Sequence, residues 1–474
     1  NREIKTNSLM ALDPSAFEVL QPSSFLSFTI PSPCPSLSAA LLRVAVLDSP
    51  LQLPSSHSAP VVAAILVPKH RENDWLFSTE SGQLQLLLSS PGVQRLILIG
   101  DEPSNSTDSS TFYRRPSPAE TDSQKKLLPI LQHLVIALSP KSCFQDQSFE
   151  VPFLCYEDNV VSSIVLEKCV GSFVGEMLVE DVEIERDFEG RREFRRRLRF
   201  KRMPNLIQTE IRIVPKTNFG SDAMGIGGEV KFCPDVGVLV HVYLVPMVAS
   251  LALIASCIEE RTRLGFKPKA LCVGVGGGAL VGFLRSPLGF KVVGVERDEE
   301  VLRIARTYFG LEDEECVRIH VGDAMEFMEE LAYPAGGHKA MNKGSIDACK
   351  VVDPKFDVVM VDLDSEDPRG GINAPSLEFI RKSVLLAARS ILCEYGILVV
   401  NVIPSTKSFY DTLINQFREI FNELYEIDVR NGENFVLIAK VLPTASSVSD
   451  SENGFLQKLR VVISRAYMES LRKI

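Results

Sequence analysis

The sequence predicts an α/β protein: a parallel, doubly wound sheet that ends in an antiparallel hairpin, preceded by a β-hairpin segment and a small α/β accessory domain. Three observations carry this. From residue 270 onward, short runs that are apolar on both faces alternate with helical stretches, the pattern of buried parallel strands. The last two runs, LYEIDV and FVLIAKVL, are separated by RNGEN, where Asn431-Gly432 signals a tight turn. And LCVGVGGGALVGFL, Leu271 to Leu284, runs into three consecutive glycines. Backbone at the end of a buried strand needs glycine where it turns sharply or where something comes close.

Composition bounds the rest. With 474 residues, 45% of them hydrophobic, the chain can hold two or three domains. A net charge of -10 argues against a general nucleic-acid binder, which needs a basic footprint. The ten cysteines are scattered without a C-x-x-C pair, and the six histidines are isolated. That pattern predicts neither a disulfide framework nor a metal site, and suits a reducing, cytoplasmic setting. Leu9 to Leu20 is broken by Asp13 and follows no basic segment, so it does not read as a signal peptide. The sequence begins at Asn1, so either an upstream part is missing or Met10 is the start. Val236 to Ile258 carries no charged residue apart from His241, yet Pro246 near its centre and the lack of an aromatic belt favour a buried helix over a membrane span.

In chain order, residues 1–58 are Pro/Ser-rich and read as a leader or linker with one strand at LLRVAVLDS. Residues 59–170 form the accessory α/β domain: strand VVAAILVP, helix WLFSTESGQLQLLL, strand VQRLILIG and helix LLPILQHLVIAL. Between the last two, SNSTDSSTFYRRPSPAETDSQKK is poor in hydrophobics and reads as a mobile loop. Residues 171–234 read as strands. Acidic GEMLVEDVEIERDFE precedes basic RREFRRRLRFKR, in which eight of the twelve residues from Arg191 to Arg202 are Lys or Arg. A hairpin that pairs acid with base across the strands is one reading; a docking surface for an acidic or polar macromolecule is the other.

The main domain spans 235–445. Its strands are ALCVGV, KVVGVE, VRIHVGD, FDVVMVDLD and GILVVNVI, and its helices follow the glycines, Glu299 and Ala324, then cover Leu377 to Leu392 and Ser405 to Phe421. Residues 333–354 are a polar insertion, and 446–474 a C-terminal tail helix.

Ligands of open α/β sheets sit outside the carboxyl ends of the strands. Here the first strand ends in Gly274, Gly276, Gly277 and Gly278, and the second in Glu296, twenty residues past Gly276. The third ends in Asp323-Ala324 and the fourth in Asp362 and Asp364. A carboxylate at Glu296 can accept from both ribose hydroxyls, and one at Asp323 from an adenine amine. A dinucleotide's pyrophosphate disfavours such a cluster of acids. S-adenosylmethionine carries no phosphate but a sulfonium and an ammonium, so it suits the rim better. The terminal hairpin agrees, being usual in class I methyltransferases and of no particular use to an NAD-binding fold. Taken singly, each acid could be a solvated strand end or a helix cap.

GVGGGALVGFL, VVGVERDEEVLRIARTYFG, VGDAMEFM and FDVVMVDLDSEDP resemble the spermidine-synthase-like branch of class I methyltransferases. With VPKHRENDWLFSTESGQLQLL and RLRFKRMPNLIQTEIRI, residues 60–442 are similar to the C-terminal half of the dual methyltransferases of elongation factor 1-alpha. The resemblance implies a fold of this class and S-adenosylmethionine as cofactor. In that family an N-terminal domain modifies a lysine, while the C-terminal half methylates the factor's N-terminal amine. No second glycine-rich site precedes residue 270, so the lysine-modifying half is expected to be absent. Residue by residue, Gly274, Gly276, Gly277 and Gly278 match the cofactor loop, Glu296 the ribose-binding acid, Asp323 the adenine-side acid and Asp362 the acid ending the fourth strand. Arg297 and Ala324, beside two of these acids, are counted with the cofactor site, as is Gln208 of NLIQTEIRI. Two features depart from the synthases. Ala279 stands where they have aspartate, and the stretch Asp362 to Pro368 is two residues longer, which counts against aminopropyl transfer. Only Tyr243 can match the synthase tyrosine.

Asp362 or Asp364 could orient an amine or take its proton, with Asn401 as an orienting group, although Asn401 could equally be a helix-entry cap ahead of Ser405. The resemblance implies elongation factor 1-alpha as protein partner, with no nucleic acid and no membrane, and leaves a homodimer open. Two alternatives remain: a small-amine transferase of the polyamine type, and a catalytically silent cofactor-binding protein.

Overall fold

A computed structural model describes residues 17–35, 38–50, 61–102, 112–144, 150–186, 191–216, 225–228, 230–334, 355–364, 374–404, 406–432, 434–443 and 453–474. The chain divides into two units, one of residues 1–165, 183–192 and 201–206, the other of 166–182, 193–200 and 207–474.

The first unit holds β1 (Phe25–Pro31), β2 (Leu41–Asp48), β3 (Val61–Leu66), β4 (Val93–Asp101), β5 (Phe112–Arg114) and β6 (Phe153–Leu154). Its helices are α1 (Trp75–Ser78), α2 (Glu80–Leu88), α3 (Pro118–Lys125) and α4 (Leu128–Ala137). The sheet runs β1-β2-β4-β3-β6. Two expectations change here. The stretch 1–58, read as a leader or linker, contributes both β1 and β2, paired in antiparallel register from Phe25↔Leu47 to Pro31↔Leu41. Phe28 and Ile30 pack against the core of this unit, and Pro31 is tolerated because β1 is an edge strand. The stretch read as a mobile loop contains β5 and the helix α3. That helix buries nothing, so its apolar content could not reveal it. It is fixed instead by a capping box between Ser117 and Glu120 with Pro118 in the first turn. The first part of that stretch, 104–111, lies outside the described residues.

The second unit takes in half of β7 (Val160–Gly171) and most of β8 (Gly175–Glu185) and β9 (Arg192–Phe200), with β10 (Ile207–Pro215) and β11 (Phe232–Leu239) beyond, in the order β11-β10-β9-β8-β7. The acid-to-base reading of the hairpin holds. Arg196 forks onto Asp181 at 2.6 and 2.9 Å. Arg195 and Arg197 each reach Glu210 at 2.7 Å, and Arg199 reaches Glu180 at 3.4 Å. These four arginine side chains are only 10–18% exposed, which contradicts the docking surface: their charge is spent within the sheet.

The main sheet comprises β12 (Lys269–Val273), β13 (Lys291–Glu296), β14 (Val317–Val321), β15 (Phe356–Val361), β16 (Leu392–Val402), β17 (Glu423–Asp428), β18 (Phe435–Lys440) and β19 (Arg472–Lys473). Its order is β14-β13-β12-β15-β16-β18-β17-β19. β12 to β16 are parallel, and β18 enters antiparallel between β16 and β17, as the Asn431-Gly432 turn requires. Helices α5 (Leu244–Ala249), α6 (Ala255–Arg263), α7 (Ala279–Arg285) and α12 (Gly454–Val462) contribute Met247, Ile258, Phe283 and Leu459 to one apolar layer. α9 (Ala324–Ala332), α10 (Lys382–Ile391) and α11 (Lys407–Ile420) contribute Met328, Leu385 and Phe417 to the other. α8 (Glu299–Tyr308) and α13 (Arg465–Glu469) complete the unit.

Three boundaries differ from expectation. Val236 to Ile258 is not one helix: its start belongs to β11, and α5 passes through a 3-10 turn at Ser250–Ile254 into α6. Pro246 therefore sits in the first turn of α5, where its missing N–H costs nothing. No helix among the described residues is long and apolar enough to cross a membrane. The helix expected from Leu377 begins only at Lys382. The C-terminal tail forms two helices and β19, which pairs with β17, rather than one helix.

Replacing Arg196 by Ala leaves the Asp181 carboxylate buried and unpaired, and is expected to destabilise the second unit by about 3–5 kcal/mol. The double change Arg196→Met with Asp181→Leu should cost far less. Chemical denaturation of both variants checks this; equal losses would mean that the pair's charge is not what matters.

Candidate active site

β12 lies between β13 and β15, so the glycine loop leaves the middle of the sheet at its carboxyl edge. What comes close to the glycines is the protein itself. Gly274 has φ +84°, and a Cβ there would run into the Asp362 carbonyl oxygen at the end of β15. A Cβ on Gly277 would meet the Thr209 methyl at 2.5 Å, and the Gly277 N–H donates to Thr209 Oγ1 at 2.8 Å. Gly278 caps α7. The loop is thus pinned between β15 and β10.

Glu296 ends β13 beside this loop. Its Oε2 accepts from the N–H groups of Val275 and Gly276 at 3.2 and 3.1 Å, and its Oε1 from those of Arg297 and Asp298 at 3.0 and 3.2 Å. Burial raises its carboxyl above the usual range, and the four N–H donors oppose that. The acid expected to hold a ribose here ties the glycine loop to the start of α8. A ribose would have to share or displace amides at 3.0–3.2 Å. The Arg297 guanidinium lies 4.4 Å from the centre of the Phe173 ring. Asp323 caps α9 through Oδ1, accepting from Met325 and Glu326, with Ala324 as the first residue of that helix. For Asp323 the helix-cap reading therefore holds in this structure.

The fourth parallel strand, β15, leads into a hydrogen-bonded acid. Asp362 Oδ2 accepts from the Tyr243 hydroxyl at 3.0 Å, and Oδ1 from Asn401 Nδ2 at 3.1 Å. Burial pushes the Asp362 carboxyl up to about 6; the two donors pull it down, and the Asp364 charge adds to the rise. Tyr243 is raised well above 10 by burial and then by Asp362, so the phenol stays a donor. Asn401, 3% exposed at the end of β16, is not a helix cap; Thr406 caps α11. Gln208 Nε2 reaches Asp364 Oδ2 at 3.3 Å, which brings two of the expected residues together. Ala279 is buried in the core at the start of α7. Ser365, Glu366, Asp367 and Pro368 lie outside the described residues.

Sequence reading missed Thr209 and Asp298. Asp298, 1% exposed, caps α8 and accepts from the N–H groups of Phe173 and Val174 at 2.7 and 3.1 Å. A helix-cap signal was present in D-E-E, but its tie to residues 173 and 174, far away in the sequence, was not. Glu167, Cys169 and Glu300 bring three donor atoms within 4.8 Å of one another, a cluster that isolated sequence spacing did not suggest. Arg303 donates to both acids, so the positive charge there is the protein's own.

The sheet order, with β18 reversed between β16 and β17, and acids at the carboxyl ends of its parallel strands define a class I methyltransferase fold, the class whose cofactor is S-adenosylmethionine. Among curated proteins, the chain is 26% identical over 413 residues to the human eEF1A lysine and N-terminal methyltransferase, covering 84% of this chain and 53% of that one. It is 27% identical over 412 residues to the Xenopus laevis protein of the same name, covering 83% and 52%. The chain thus spans about half the length of these relatives. Among solved structures, human Methyltransferase-like protein 13 in complex with SAH is 25% identical with a TM-score of 0.38, covering 46% of this chain and 91% of that one. A probable spermidine synthase from Corynebacterium glutamicum is 15% identical with a TM-score of 0.40, covering 62% and 86%. No known family model matches the chain.

Thr209→Val keeps the side chain's shape but leaves the Gly277 N–H without its acceptor. Affinity for S-adenosylhomocysteine is expected to fall about tenfold, from about 1–2 kcal/mol of lost loop order. Calorimetry reads it, and unchanged affinity would remove Thr209 from the cofactor loop's support.

Proposed function

We propose that the chain methylates the N-terminal amine of elongation factor 1-alpha with S-adenosylmethionine, and that it corresponds to the C-terminal, amine-methylating half of the relatives named above. The observation that carries this reading is Asp362: a carboxylate at the mouth of the glycine loop, held by Tyr243 and Asn401 and pushed up to about 6.

The glycine loop, the Glu296 acceptor and the anionic rim fit a cationic adenosyl ligand. When bound, it supplies an electrophilic methyl on a sulfonium. The chain's own residues do the rest. Methyl transfer is an in-line displacement, so the amine must be aligned and unprotonated. An α-amine has a pKa of about 7.7–8.0. With the Asp362 carboxyl pushed up to about 6, passing the proton there is a modestly uphill step. A lysine amine, with an ordinary pKa of about 10.4, is the stronger base and gives up its proton less readily. Asp362 is thus matched to an α-amine, and Tyr243 and Asn401 hold its two oxygens in place while it accepts. Asp364, beside Gln208, adds a second negative charge that can attract the ammonium form. A cytoplasmic location goes with that substrate.

The sign of the pH dependence follows. Asp362 must be ionised to accept, so the rate should rise about tenfold per pH unit below about 6 and flatten above it. The assay incubates the chain and labelled cofactor with elongation factor 1-alpha or, separately, decarboxylated cofactor with putrescine, and maps the product by mass spectrometry. Label on the factor's N-terminal amine, its loss in Asp362→Asn, and no transfer to putrescine are expected. Label only on an internal lysine would refute the substrate; transfer to putrescine would favour the polyamine alternative; no transfer at all would favour a silent binder.

A further inference from the structure

We infer that Asn434 is a positioning residue for this reaction, one that acts on Asp362 through Asn401. The inference rests on the amine-methylation reading above.

A buried amide stands near the carboxyl end of β16 and another just before β18, both at the end nearest the site: Asn401 is 3% exposed and Asn434 5%. A buried amide without partners is costly, and these are satisfied in one particular order. Asn431 Nδ2 donates to Asn434 Oδ1 at 2.8 Å, and Asn434 Nδ2 donates to Asn401 Oδ1 at 2.9 Å. Asn401 Nδ2 then donates to Asp362 Oδ1 at 3.1 Å. The Asn434 backbone N–H, in turn, donates to Asn431 Oδ1 at 2.9 Å. Each side-chain amide gives a hydrogen bond one step closer to Asp362. The chain starts in the exposed hairpin turn, where Arg430 and Gly432 hold φ of +64° and +79°.

The direction matters more than the count. An amide has a donor end and an acceptor end, and only the donor end stabilises a carboxylate. Asn434 occupies the Asn401 carbonyl and so leaves the Asn401 NH₂ for Asp362. Without the Asn434 donor, Asn401 can turn its carbonyl toward Asp362, and an acceptor facing an acceptor favours the protonated acid. Among the described residues, the titratable groups coupled to Asp362 are Tyr243 ahead of α5, Asp364 beyond β15, and Cys272 on β12. None lies on β18, so a change at Asn434 reaches Asp362 through Asn401.

The test is the pH dependence of kcat/KM with elongation factor 1-alpha for wild type, Asn434→Leu, Asn401→Ala and the double variant. Asn434→Leu keeps the branching without donor or acceptor. Its acid-limb midpoint is expected to rise by about half to one pH unit, with S-adenosylmethionine affinity unchanged. In the Asn401→Ala background, Asn434→Leu should add no further shift. An unmoved midpoint, or a shift that adds in full to that of Asn401→Ala, would overturn the inference. If Asn434→Leu does not fold, Asn431→Ala in the exposed turn reads the chain from its far end, with a smaller rise expected and no rise overturning it. Carbon-13 carboxyl NMR, with Asp362 assigned by loss of its signal in Asp362→Asn, follows the same titration without catalysis. If wild type transfers no methyl group but the Asp362 titration still moves with Asn434, the substrate reading fails and the positioning stands. If transfer occurs and the titration is unmoved, the reverse holds.

Discussion

The site depends on one close approach: the backbone of Gly274 against the carbonyl of Asp362. β12 and β15 are neighbours at the centre of the sheet, and Asp362 N donates to Val273 O at 2.9 Å. A side chain at 274 would push the two strand ends apart. Because they stay together, the glycine loop and the acid that ends β15 share one rim. The other elements serve this contact: Thr209 holds the loop from β10, Glu296 from β13, and Tyr243 and Asn401 grip the acid from opposite sides.

Electrostatics gives the rim its character. Asp362 lies between two opposing influences, burial that favours the neutral acid and two donors that favour the carboxylate. Burial prevails, so the carboxyl is pushed up to about 6, above a solvated aspartate yet still below neutral pH. Arginine is handled in the opposite way. The central arginines of β9, Arg195, Arg196, Arg197 and Arg199, spend their charge on Glu210, Asp181 and Glu180 within their own sheet.

The main sheet was legible because its strands are short apolar runs and the carboxyl ends of the first four carry glycines or acids. The pairing of Asp362 with Asn401 followed the same logic, both ending adjacent strands. The partners Tyr243 and Thr209 come from segments more than a hundred and about seventy residues away in the chain, and no local pattern sets their direction. Asn434 was hidden differently. It stands next to a turn whose Asn-Gly signal already accounted for local polarity, and its role appears only when β18 is laid antiparallel on β16. The edge strand β1 and the exposed helix α3 escaped because composition weighs burial, and neither buries much.

The most direct measurement is calorimetric titration of the purified chain with S-adenosylmethionine and, separately, with NAD. A rim of carboxylates around a glycine loop, which disfavours a pyrophosphate, predicts saturable heat with S-adenosylmethionine and none with NAD. NAD binding of comparable affinity, or no heat with S-adenosylmethionine, would contradict the assignment of this rim.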